Sequence, residues 1–249
     1  MKALSFLLCA LVALIAISPG LKAFTEISTV MRVEVQPDAW AHVKETYVVR
    51  LDQADDVETF ESLRKYGQNT LISWRNFLPI LRYHIASSLT PNNTTISARR
   101  LFEVSSRTAE IELDYDVAEP IFSSEKVGSR TKRFSLQNPF LNFQRTASGE
   151  ALLSGSQSFI LVLPPVASFD PSKFIPSPTQ SDGSTVRWSG PASGVWRISY
   201  EIEKPLGDEV SEYFSTLYAQ GVSAIPALLP LGLVALLAAF LFSRFAKNR

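Results

Sequence analysis

Met31-Arg32-Val33-Glu34-Val35-Gln36-Pro37-Asp38-Ala39-Trp40-Ala41-His42-Val43-Lys44-Glu45-Thr46-Tyr47-Val48-Val49-Arg50-Leu51 alternates apolar and polar residues on either side of a Pro37-Asp38 break. In an extended chain successive side chains point to opposite faces. Met31, Val33 and Val35 therefore share one side, as do Ala41, Val43, Tyr47, Val49 and Leu51. A period of two around a short turn signal predicts an antiparallel hairpin with one buried face. Glu45 falls on that buried face, between Val43 and Tyr47. A carboxylate there must be paired, protonated or at the rim of the sheet. Its partner would be a basic residue of a neighbouring strand or helix. The sharper reading makes Glu45 a ligand-contacting acid in a cleft between sheet and helices, and it is the candidate binding residue.

The period changes after Leu51. Asp55-Asp56-Val57-Glu58 resembles a helix cap with an acid three residues on, and Val57, Phe60 and Leu63 recur at helical spacing. Arg64, Lys65 and Gly67 end that segment. A second helical stretch is expected from Asn69 to Ser88, with Leu71, Trp74, Leu78, Leu81 and Ile85 as its stripe and a kink at Pro79. Strands are expected at 94–104 and at 109–117, where Ala109, Ile111, Leu113, Tyr115 and Val117 alternate with Glu110, Glu112, Asp114 and Asp116. Another is expected over Arg133–Leu136. Phe159–Leu163 is apolar throughout and predicts a strand buried on both faces. Residues 164–178 hold five prolines and predict an irregular crossing. Asp182-Gly183 is a hairpin turn signal, and Trp196, Ile198, Tyr200 and Ile202 alternate in a last strand. The expected fold is mainly β: an antiparallel β-sandwich with a two-helix insertion at 54–88.

Both ends of the chain are apolar. Ala3–Ile17 follows Lys2 and precedes the small residue Ala23, which is the anatomy of a cleavable export signal over residues 1–23. Val222–Ser243 is about 22 residues long, roughly 33 Å as a helix, enough to cross a hydrocarbon core of about 30 Å. It predicts one C-terminal transmembrane helix, preceded by a juxtamembrane helix at 206–221. A basic tail at 244–249 (Arg244, Lys247, Arg249) stays inside by the positive-inside rule. The expectation is a single-pass type I protein of the cell membrane with residues 24–205 outside. With the juxtamembrane stretch included, residues 24–221 carry all 24 acidic residues against 19 of the 24 basic ones, a net of about −5. Mild acidity argues against nucleic acid or an anionic lipid surface as a partner. The one cysteine, Cys9, lies in the leader, so the exported domain holds itself together without disulfides.

Chemistry leaves a faint trace. His42 stands on the outer face of a strand, and His84 is expected at a helix end; neither sits in a motif for nucleophilic catalysis or zinc. No glycine-rich phosphate loop or dinucleotide fingerprint is present, and no cofactor or metal is expected. Glu110, Glu112, Asp114 and Asp116 stand roughly 6.5–7 Å apart along a strand, too far to share one ion. They predict a solvated face paired with Arg99, Arg130, Lys132 or Arg133. Asn92-Asn93-Thr94-Thr95 holds two overlapping glycosylation sequons, with Asn92 and Asn93 as acceptors. Trp74 and Trp196 fit buried stripes, whereas Trp40 and Trp188 lie near turns and are candidates for exposure as a sugar-stacking surface.

The string Val33-Glu34-Val35-Gln36-Pro37-Asp38-Ala39-Trp40-Ala41-His42-Val43, followed by Glu45-Thr46-Tyr47, by Phe60 in an acidic helix and by a proline-interrupted second helix, resembles the start of an uncharacterised archaeal family of membrane-anchored ectodomains. The resemblance covers residues 28–204. It implies an exported β-rich domain ahead of a C-terminal membrane helix, with a winged-helix domain behind it in longer members, and it transfers no site residue. Together these readings lead to a non-enzymatic extracytoplasmic module of the cell envelope that binds or scaffolds another envelope or membrane protein. The alternatives are a small-ligand sensor or accessory subunit of a membrane complex, and a carboxylate-dependent hydrolase, which needs two acids about 5–10 Å apart in a cleft.

Overall fold

The computed structural model describes residues 24–66, 70–86, 91–101 and 107–205, with residues 207, 210, 211, 215 and 216. The expected leader 1–23, the span 222–243 and the tail 244–249 lie outside the described residues, as do all but five positions of the expected juxtamembrane helix. Among the described residues no helix is long and apolar enough to cross a membrane. The described residues fall into two units, those of 24–127 with 132–202, and 128–131 with the described positions from 203 onward. Within the second, the Arg130 guanidinium donates to the Lys204 carbonyl at 3.1 and 2.6 Å and lies 3.5 Å from Glu203.

The hairpin forms as the alternation requires. Strand β1 (Phe24–Val35) pairs antiparallel with β2 (Ala41–Leu51), Met31 opposite Glu45 and Val33 opposite Val43. Helix α1 (Ala54–Tyr66) and the short α2 (Leu71–Phe77) follow. Asp56 accepts from the Gln53 N–H at 2.8 Å, one half of a capping box, and the Thr70 side chain caps α2. Then come β3 (Asn92–Arg100), β4 (Thr108–Asp116), β5 (Phe122–Lys126), β6 (Thr131–Leu136), β7 (Gln144–Arg145), β8 (Ala151–Leu153) and β9 (Gln157–Val162). The remaining strands are β10 (Ala167–Ser168), β11 (Gln180–Asp182), β12 (Thr185–Ser189), β13 (Ala192–Gly194) and β14 (Ser199–Glu203). The largest sheet runs β11-β12-β9-β1-β2-β4-β3; the smaller ones run β10-β14-β6-β5 and β13-β8-β7.

Three expectations are corrected here. The arrangement is not wholly antiparallel: β1 and β9 run parallel, Met31 beside Phe159, so the large sheet is mixed. Strand β9 is buried on one face only, through Gln157, Phe159 and Leu161, because the other face of the sheet is half open. The second helical stretch stops at Phe77. Leu78 is its C-cap and Pro79 comes next, and proline cannot donate the backbone bond that would continue the helix. Leu78–Ala86 instead runs as an irregular strap whose Ile85 bridges to Leu141.

One face of the large sheet is the floor of the core. Across the strands, Trp188, Phe159, Met31, Glu45, Leu113 and Ile96 form a continuous buried row. Phe60 of α1 meets Trp74 of α2 edge-on at 5.5 Å, and Leu78, Leu81 and Ile85 of the strap are buried in the same core. Phe143, Phe159, Trp188 and Trp196 add an aromatic cluster with ring centroids 5.4–5.8 Å apart. A core rich in large aromatics supplies the burial that a cysteine-free domain needs.

Candidate functional site

Glu45 is the sole acid in the core of the described residues. Strand β2 places it in an apolar row, with Tyr47 two residues on along the same face and Tyr115 of β4 opposite Val43, one row away. The strap brings His84 over this corner. Oε1 of Glu45 accepts the backbone N–H of His84 at 2.7 Å and the Tyr115 hydroxyl at 2.5 Å. Oε2 accepts the Tyr47 hydroxyl at 2.5 Å and faces Nδ1 of His84 at 2.7 Å. Four donors thus meet two carboxylate oxygens, the full complement a carboxylate takes.

Beyond these contacts the network reaches the strap. Arg82 Nε donates to His84 Nε2 at 3.3 Å, so the imidazole presents Nδ1–H to Glu45 and stands between a carboxylate and a guanidinium. The Tyr47 hydroxyl also approaches the Arg82 carbonyl at 2.8 Å, and Tyr115 accepts the Ile85 N–H at 3.2 Å. Burial pushes the Glu45 carboxyl up. The pull and hydrogen bond of His84, then the hydroxyls of Tyr115 and Tyr47, outweigh it, and the net direction is down from the ordinary 4.5. Burial and the adjacent carboxylate drive both tyrosines well above their ordinary range.

This arrangement can hold charge and fix geometry. Glu45 and His84 are 0% and 2% exposed, so a ligand reaching Glu45 must first displace the strap or one of its four donors. The basic partner foreseen for Glu45 is His84. The alternation of β2 put Glu45 and Tyr47 on the buried face from sequence alone. His84, expected as a helix-end cation, is corrected to a buried pairing residue, because the chain past Pro79 is an irregular strap rather than a helix. The available signal was the need of two buried tyrosine hydroxyls and one carboxylate for a further polar partner.

On the opposite face of the sheet the acidic ladder is paired. Arg99 meets Glu110 at 2.7 Å, Lys44 meets Glu112 at 2.8 Å, and His42 lies 3.4 Å from Asp114 and 2.9 Å from Asp116. Arg99 was among the expected partners; Lys44 and His42 were not. Among the described residues no group of acids and histidines is placed to hold a metal ion. Asn92 and Asn93 are exposed at the start of β3, and the Asn93 amide donates to Asp116 at 2.7 Å. Trp188 is corrected to the core, its indole N–H donating to the Pro176 carbonyl at 2.8 Å, while Trp40 is 40% exposed.

No protein-family model matches the chain, so the resemblance to the archaeal ectodomains rests on the residues quoted above. No curated protein matches it either. Among solved structures, the chain is similar to the folded domain of LppM from Mycobacterium tuberculosis, determined by NMR. The TM-score is 0.36 and the identity 6%, over 75% of this chain and 94% of that domain. A likeness at that level carries no functional assignment.

Proposed function

We propose that the chain is an exported, non-enzymatic module of the cell envelope, anchored in the membrane by its C-terminal apolar stretch 222–243, which binds or scaffolds another envelope or membrane protein. The observation that carries the non-enzymatic part is the closure of the Glu45 cluster. The Glu45 carboxyl and the Tyr47 and Tyr115 hydroxyls titrate away from their ordinary values, yet every acceptor position on the carboxylate is used internally and no surface of Glu45 is exposed. Perturbed titration in an open cleft points to catalysis; the same perturbation in a sealed, saturated network points to a structural role. A hydrolase built on paired carboxylates would need a second acid beside Glu45, and Glu45 is the only acid in the core of the described residues. Leu78, Leu81, His84 and Ile85 of the strap are all buried, which supports the scaffold over the small-ligand sensor.

The address comes from the sequence: a leader-like start, an exported part without cysteine, and a basic tail after the second apolar stretch. Asn92 and Asn93 are proposed sugar acceptors of that exposed domain. The test separates the parts. The full chain should sediment with membranes and resist extraction by carbonate, and a chain ending at residue 221 should be released. Release of the full chain by carbonate overturns the anchor. Cross-linking in intact membranes should then yield one recurrent protein adduct, and its absence removes the scaffolding role.

A further inference from the structure

Between Glu61 and Glu103 the sequence contains no acidic residue, yet it carries Arg64, Lys65, Arg75, Arg82, Arg99 and Arg100. In an exported part whose net charge is about −5, this block of 41 residues has a charge of +6. The fold gathers part of it at one place. The last turn of α1 lies against the end of β3, and Glu61, Arg64, Arg99 and Arg100 line a surface groove of about 320 Å³. Arg64 is held by Glu61 at 2.6 Å and Arg99 by Glu110 at 2.7 Å, which fixes both guanidinium groups at the surface.

The same end of the helical pair carries two large, exposed apolar side chains. Tyr66, at the end of α1, is 74% exposed, and Ile72, in the first turn of α2, is 73% exposed; they are the most exposed large hydrophobics among the described residues. Lys65 Nζ lies 5.1 Å from the Tyr66 ring centre. Ile72 shares its face of α2 with Arg75, while Trp74 takes the buried face. The four acids of α1 all precede this end of the helix: Asp55, Asp56, Glu58 and Glu61.

Even with Arg64 and Arg99 paired to Glu61 and Glu110, Arg64, Lys65, Arg75, Arg99 and Arg100 leave this end with a net positive charge. That charge, together with a protruding tyrosine and isoleucine, suits an interface whose outer layer is anionic and whose next layer is apolar. The overall negative charge of the domain does not forbid this. Screening at physiological salt confines each charge to about 8 Å, so a surface meets the patch and not the sum. We propose that the end formed by the α1 C-terminus, the start of α2 and the end of β3 docks on an anionic lipid surface, with Tyr66 and Ile72 entering the headgroup layer. The inference takes the membrane anchor of the proposed function as its starting point and adds a second, reversible contact.

The full chain, as Cys9→Ser with a single Ile72→Cys, is labelled with an environment-sensitive fluorophore and reconstituted into two kinds of vesicle. One is pure phosphatidylcholine; the other is equal parts phosphatidylcholine and phosphatidylglycerol. Ser181→Cys, on the exposed β11 at the opposite edge of the large sheet, is the control site. The expected result is flotation with both vesicles, and a blue-shifted label, protected from aqueous iodide several-fold, at residue 72 in the anionic vesicles only. Lys65→Glu with Arg64→Glu should abolish the protection while leaving flotation and circular dichroism unaltered. Flotation with both vesicles but an unprotected label at residue 72 overturns the docking and leaves the anchor standing. Equal protection in both vesicles, or equal protection at residues 72 and 181, overturns it too. Flotation with neither vesicle overturns docking and anchor together.

Discussion

Glu45→Ala takes the acceptor away from four donors at once: the backbone N–H and ring of His84 and the hydroxyls of Tyr47 and Tyr115. Removing one partner of a buried pair costs about 3–5 kcal/mol, and the total stability of a domain is about 5–15 kcal/mol. The alanine variant should therefore be close to unfolding at room temperature. Glu45→Gln is the informative companion. Its carbonyl still serves the His84 N–H and Tyr115, while its amide faces Nδ1 of His84 and the Tyr47 hydroxyl. Tyr47 can turn its hydrogen to the Arg82 carbonyl, 2.8 Å away, so part of the loss is recovered. Hydrogen bonds to a charged group contribute about 1.5–3 kcal/mol each, offset by no longer burying a charge, so a net loss of about 2 kcal/mol is expected. That corresponds to a Tm lower by about 4–8 °C for a chain of this size. Urea unfolding followed by emission from the buried Trp74, Trp188 and Trp196 measures both variants. The pH dependence adds a sign. Glu45 has a folded pKa below its unfolded 4.5, so its contribution is complete above 4.5 and fades as pH falls through the folded value. The gap between wild type and Glu45→Gln should accordingly narrow below pH 4.5. Two variants within about 0.5 kcal/mol of the parent at neutral pH would refute the buried network.

Tyr115→Phe and Tyr47→Phe should each cost about 1–2 kcal/mol, and a double-mutant cycle of either with Glu45→Gln should show coupling, since each hydroxyl serves that carboxylate; additive losses would contradict the geometry. Gly190→Ala should destabilise by about 1–3 kcal/mol or more, because an added Cβ would meet the Ser154 carbonyl oxygen at 1.7 Å, whereas Gly155→Ala, with open space around it, should be silent in the same thermal melt. His42 is raised above 6.5, chiefly by its hydrogen bond to Asp116, so its small contribution is present below 6.5 and lost as pH rises through the folded value. An NMR titration of the His42 ring should show the raised value in wild type and a lower one in Asp116→Asn; an identical midpoint in both would remove the pairing.

The sequence made some of this legible for local reasons. Alternation in β2 and β4 reports which face is buried, because the side-chain period of a strand is fixed at two. Glu45 was therefore visible as an anomaly, and the ladder of Glu110 to Asp116 as an outer face. The Asp182-Gly183 turn appears where expected, with Gly183 at φ 54°. What could not be read depends on contacts distant in sequence. His84 reaches Glu45 across 39 residues, and only after Pro79 has turned an expected helix into a strap. The parallel pairing of β1 with β9 joins residues more than a hundred positions apart and leaves no periodic mark. Trp188 follows a turn, a setting that suggests exposure. Yet β12 pairs with β9, which sets it beside Phe159 inside the core.

Intact cells expressing the Cys9→Ser chain with the single surface cysteine Ser181→Cys offer the most direct measurement, using a maleimide that cannot cross the membrane. Labelling of intact cells, on a protein recovered wholly in the membrane fraction, is expected of a domain held outside by its C-terminal stretch. Labelling only after lysis, or recovery of the labelled chain in the soluble fraction, contradicts it.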